Sequence, residues 1–143
     1  MTAEQAIANL RAAETQWTQA LKVHRLAPPD HGYSARLRGF ADACEQQAAA
    51  YRYAGDSGLA WEPLPAGSTR RRPAELLPDS GRRGPEELWE QLDLAFEDLD
   101  RALEGVSLHA IGRVFGELGD IAREISTAVA ELDGVPVRKR RAG

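Results

Sequence analysis

Cysteine is almost missing: Cys44 stands alone among 143 residues. A lone thiol excludes an internal disulfide and a thiolate metal cluster, and it points towards a reducing compartment. Histidine is nearly as scarce, with only His24, His31 and His109. None belongs to an HExxH pair or follows a glutamate by three residues, so the metal signature of helical bundles is missing. There is no Gly-x-Ser-x-Gly elbow, phosphate loop or dinucleotide glycine pattern. No apolar run approaches about 18 residues, the length that reads as a membrane span. Met1–Leu10 lacks a basic region followed by an apolar run, so no signal peptide is expected. Together these absences suggest a cytoplasmic protein with no membrane insertion. No alternating segment reads as a convincing strand.

What is present is ordinary in amount and unusual in distribution. Hydrophobic residues make up 43% and charged residues 28%, enough for one domain with its own core. Of 13 glycines and 8 prolines, eight fall within residues 56–84. The net charge of -4 conceals polarity along the chain. Residues 1–84 carry 11 basic and 9 acidic side chains, residues 85–134 carry 3 and 13, and residues 135–143 carry 4 and none.

Periodicity predicts an all-α fold: two antiparallel helical hairpins in a four-helix bundle-like domain over residues 1–136, with a flexible basic tail at 137–143. Helices are expected at about 3–27, 33–54, 86–104 and 108–133, with an irregular crossover at 56–84. In the first, Ala3, Ile7, Leu10, Glu14, Trp17, Leu21 and His24 repeat at threes and fours. Glu14 sits in that stripe unless a slight rotation puts Ala13 there, as a buried unpaired carboxylate is too costly. Thr2 and Gln5 fit a capping box, and Pro28 and Pro29 stop the helix. Tyr33, Leu37, Phe40, Cys44, Ala48 and Tyr51 form the second stripe. The alanines of 41–50 permit close helix approach, and Gly55–Gly58 is read as the stop. Cys44 reads as a small buried hydrophobe, His109 as a surface residue.

Leu88, Leu92, Ala95, Leu99 and Ala102 give the third seam, widened by Trp89, Phe96 and Leu103, with Gly105 as its left-handed stop. Ser107 caps the fourth helix. Its stripe is Leu108, Ile111, Phe115, Leu118, Ala122, Ile125, Val129 and Leu132. This helix is the longer of the second pair, so its end near Val129 and Leu132 needs cover from the crossover, helix one or a second subunit. In the crossover, Leu59, Trp61 and Leu64 are expected to hold the first half, and the Arg72 and Arg82 regions are read as the mobile parts.

Three functional readings arise. The first is a non-catalytic protein-binding adaptor or scaffold, acting as a helical oligomer, a dimer foremost. Its binding candidates are Trp61 and the acidic back of helix three. There Glu86, Glu90, Asp93, Glu97, Asp100 and Glu104 recur at helical spacing, and a basic protein partner would relieve their repulsion. Glu117, Asp120, Glu124 and Glu131 make a second acidic stripe on helix four. No cofactor is expected. The second reading starts from Glu87, Glu90, Glu117 and Asp120, an ExxE and an ExxD on adjacent helices. Over residues 86–122 this resembles the all-α nucleoside triphosphate pyrophosphohydrolases, and the resemblance implies Mg²⁺ held by these carboxylates. Helical geometry turns both pairs away from their seams and offsets them along the hairpin. The third is nucleic-acid attachment through Arg70, Arg71 and Arg72 with Arg138, Lys139, Arg140 and Arg141. It is disfavoured because the acidic hairpin repels a polyanion.

Overall fold

The computed structural model describes residues 3–26, 32–59, 82–132 and 134. Four helices form, α1 Ala3–Leu26, α2 Tyr33–Asp56, α3 Glu86–Leu103 and α4 Leu108–Leu132, and no strand occurs among the described residues. This is the expected all-α, bundle-like arrangement. The capping box at Thr2, the Pro28–Pro29 stop, His31, Trp61, Leu64, Arg70–Arg72 and the basic tail lie outside the described residues, as does the side chain of His24.

The two hairpins meet mainly through α2 and α4, with α1 on the flank of α2 and α3 on the flank of α4. Small residues make the α2–α4 contact close. Ser34, Ala41 and Ala48 recur every seventh residue on α2, and Gly112, Gly119 and Ser126 do so on α4. A Cβ added at Gly119 would lie 3.1 Å from the Ala41 carbonyl oxygen, and one at Gly112 would lie 3.0 Å from that of Ala48. At the far end of the seam, Ser34 Oγ donates to the Ser126 carbonyl and Ser126 Oγ donates to the Ser34 carbonyl, each at 2.7 Å. A hydroxyl has one proton, so the 3.0 Å between the two oxygens is contact and not a third bond.

Aromatic rings fill the space where backbones stand apart. Trp17 of α1 meets Phe96 of α3 at 6.5 Å and the edge of Phe115 of α4 at 5.3 Å between centroids. Phe40 of α2 stacks on Phe96 at 6.2 Å. The Trp17 indole donates to Cys44 Sγ at 3.2 Å. Burial pushes the Cys44 thiol far above its ordinary range, so it is the small core residue expected.

Several local expectations need correction. Helix α1 takes the slight rotation that the sequence allowed at Glu14, and it goes far enough to turn Ile7 out of the stripe: Ala6, Leu10, Ala13, Trp17 and Leu21 are buried, Ile7 is 38% exposed and Glu14 is half-buried. The rotation removes a carboxylate from the core and turns two alanines inward. Helix α2 passes through Gly55 and stops at Asp56. The stop is Gly58, at φ +79°, with Leu59 N–H donating to Ala54 O and Gly58 N–H to Gly55 O, a Schellman arrangement. Gly55 instead makes room for His109, whose ring would lie 2.6 Å from an added Cβ. Gly105 is not among the left-handed glycines; α3 ends through tight turns that Glu104 and Gly105 N–H close. Ser107 does cap α4, accepting from Ala110 N–H at 3.1 Å.

The Arg82 region is anchored, against expectation. Arg82 makes two bonds to the Asp93 carboxylate, at 2.9 and 2.8 Å, and stands 4.8 Å from the Trp89 ring centre. The Trp89 indole donates to the Arg83 carbonyl at 2.6 Å, and Arg83 N–H donates to the Tyr33 hydroxyl at 3.3 Å. Gly84 follows at φ +106°, where an added Cβ would touch Val129 at 3.1 Å and Ile125 at 3.4 Å. The end of the crossover therefore covers Val129, while Leu132 stays 70% exposed.

Candidate functional site

The face of the α3–α4 hairpin away from the core carries two adjoining depressions of about 630 and 260 Å³, both bordered by Asp120. They form one open channel. Leu88 lies beside Thr127 and Ala128 in the larger depression; Asp98 lies beside Glu117 in the smaller. The floor is apolar because Leu88 and Ile121 are only partly taken up by the core and Leu94 is 60% exposed. The rim is acidic: Asp98 on α3, and Glu117, Asp120, Glu124 and Glu131 on α4.

Among the described residues, one cation stands at this border, and it is already engaged. Arg123 donates to Asp42 and Glu45 of α2, both at 2.8 Å. These two carboxylates raise the Arg123 pKa above its ordinary value. Its charge thus serves the α2–α4 contact, and carboxylates outnumber cations among the described rim residues. Asp98 is paired with Arg101 one turn on.

The expected acidic stripes separate here. Glu117, Asp120, Glu124 and Glu131 line the channel. At about 100° per residue, the stripe of Glu86, Glu90, Asp93, Glu97, Asp100 and Glu104 centres about 110° from the centre of Gln91, Leu94 and Asp98, with Glu90 and Glu97 bordering Leu94. Asp93 is held by Arg82; Glu90 and Glu97 are exposed; Asp100 is half-buried. Asp98, Gln91 and Leu94 escaped the sequence reading. An apolar Leu94 off the core stripe was the available signal, and the position of Asp98 required knowing how α3 and α4 align.

The four carboxylates of the hydrolase reading do not converge. Glu117 and Asp120 border the smaller depression, opposite Asp98. Glu87 adjoins Leu88, and from 87 to 98 the helix rises roughly 16 Å. Among the described residues, no group of three or more His, Cys, Asp or Glu is gathered so as to hold a metal ion. His109 is half-exposed, with Nε2 2.7 Å from Asp56 Oδ1, and ties the start of α4 to the end of α2. No helix among the described residues is long and apolar enough to cross a membrane.

Fold and face together define a class: an all-α bundle-like protein with an acid-rimmed apolar channel on one hairpin. Comparison with protein-family models, curated proteins and solved structures yielded no match.

Proposed function

We propose that this protein is a non-catalytic cytoplasmic adaptor or scaffold that binds a basic protein partner through the α3–α4 face. The observation that carries this reading is the channel, where exposed apolar surface and a predominantly acidic rim coincide among the described residues. Apolar surface supplies affinity; a rim of one sign selects and steers the partner.

Self-association belongs to the same reading, away from this face. Besides Leu94 of the channel, the exposed large apolar residues among those described are Ile7, Tyr53, Val106 and Leu132, on different elements. Light scattering across a concentration series tests it, and a strictly monomeric mass up to about 100 μM removes the dimer from the reading.

The binding half is tested by capture of a basic protein fraction on the immobilised chain at about 50 mM and about 500 mM salt. Binding should weaken at the higher salt and be lost in the Glu117→Lys, Glu124→Lys double variant. Capture unaffected by that variant would remove the face from the proposal. The nucleic-acid alternative rests on arginines outside the described residues, and the hydrolase on carboxylates that stand apart.

A further inference from the structure

The dimensions and chemistry of the channel narrow what it receives. Along α4 its rim runs from Glu117 to Glu131, about 21 Å, the length of roughly four helical turns. Its carboxylates at 117, 120, 124 and 131 recur on one side of α4 at spacings of 3, 4 and 7, with neutral Thr127 and Ala128 on the turn between the last two. Both walls are helices, which offer no free backbone row. An extended peptide lying here would leave its amides and carbonyls without partners, whereas a helix satisfies its own.

We infer that the channel takes an amphipathic basic helix of a partner protein. This deepens the adaptor reading and rests on it. The helix sets an apolar stripe on Leu88, Leu94 and Ile121 and aligns lysines or arginines with Glu117, Asp120, Glu124 and Glu131. Charge argues against the nearer occupants. A second copy meeting this face with its own would set carboxylates against carboxylates, and Arg123 is already held by Asp42 and Glu45. The chain's basic tail has four consecutive cations after Val137 and no apolar stripe to fill the floor.

The test uses the full chain and two labelled peptides of about 18 residues, made only of leucine and lysine in equal composition. One places leucines every third and fourth residue; the other is scrambled so that no helical face forms. Fluorescence anisotropy should give the ordered peptide a Kd about tenfold lower than the scrambled one. Leu94→Glu, at a 60% exposed position, should keep its circular dichroism and weaken the ordered peptide by about tenfold. Equal binding of the two peptides, or no effect of Leu94→Glu, overturns the helix assignment and leaves the basic-partner reading standing. If neither peptide binds at low salt, both fall. Binding that appears only after removal of residues 137–143 overturns the assignment in favour of the tail. A dimer that Leu94→Glu dissociates overturns it in favour of a second copy.

Discussion

Helix α4 has two faces of opposite construction. Towards α2 it presents Gly112, Gly119 and Ser126, residues with little or no side chain, and the seam closes until backbone meets side chain. Beside α3 it presents Glu117, Asp120, Ile121 and Glu124, and the surface stays open over an apolar floor. The first face gains stability from close packing, and an added Cβ there meets a backbone oxygen at 3.0–3.1 Å. The second leaves leucine surface in water and sets like charges on successive turns. The same helix therefore separates the part that holds the fold from the part offered to a partner, and substitutions should separate them too.

The largest effect belongs to the closed seam. Gly119→Leu places a side chain where the first carbon is already 3.1 Å from Ala41 O and 3.3 Å from Cys44 Cβ. The helices must part, at a cost of about 3 kcal/mol, read by urea denaturation. Gly119→Ala should cost less, since alanine regains up to about 1 kcal/mol of helix propensity. If both variants are as stable as the parent, the closeness of this seam does not govern the fold.

Arg82→Ala comes next, because it removes two charge-assisted bonds to Asp93 and a cation resting on Trp89. A loss of about 1–2 kcal/mol is expected. Ser34→Ala follows at about 1 kcal/mol, for one of two reciprocal hydroxyl bonds. Its partner Ser126 keeps its own bond to the Ser34 carbonyl.

Alkali gives a smaller, directional test of the same core. Burial raises the Tyr33 pKa above the ordinary phenol value of about 10, against the opposing pull of the Arg83 backbone N–H and of the Arg82, Arg83 and Arg36 charges. The folded state thus holds the phenol proton more tightly than the unfolded chain does. That contribution is fully present below about pH 10 and is lost as pH rises through the folded value. The melting temperature should fall above pH 10, and Tyr33→Phe should flatten this fall.

How much of this was legible in the sequence depends on which residues carried the signal. Helix α4 was read correctly from Leu108 to Val129 because large apolar residues mark its buried stripe. In α1 the signal was mixed: the cost of burying Glu14 pointed to the rotation that puts Ala13 inward, while Ile7 fitted the count and the buried position belongs to Ala6, whose small side chain barely registers in a periodicity. The seam was half visible. The alanines of 41–50 announced a close approach, while the matching Gly112 and Gly119 became meaningful only once α2 and α4 were aligned. The Arg82 anchor joins residues about fifty positions apart, Tyr33 among them, and no local pattern encodes such a meeting. The channel was missed for the same reason. Its rim combines a visible stripe on α4 with Asp98 of α3, which fits neither acidic stripe, and only the alignment of the two helices brings them together.

The smallest expected change in stability lies on the open face, and it is the most informative. Leu94 is 60% exposed, so Leu94→Ser removes little buried surface and should shift stability by no more than about 0.5 kcal/mol. If Leu94 only fills space, a change that leaves the fold intact should leave binding intact as well. If the channel floor receives apolar side chains of a partner, the same substitution should weaken capture of that partner while the urea midpoint stays in place. The seam variants should show the reverse: Gly119→Ala should lower the midpoint, yet any Gly119→Ala protein that remains folded should bind as the parent does. A Leu94→Ser protein with a much lower midpoint would place Leu94 in the core and erase the contrast between the two faces of α4.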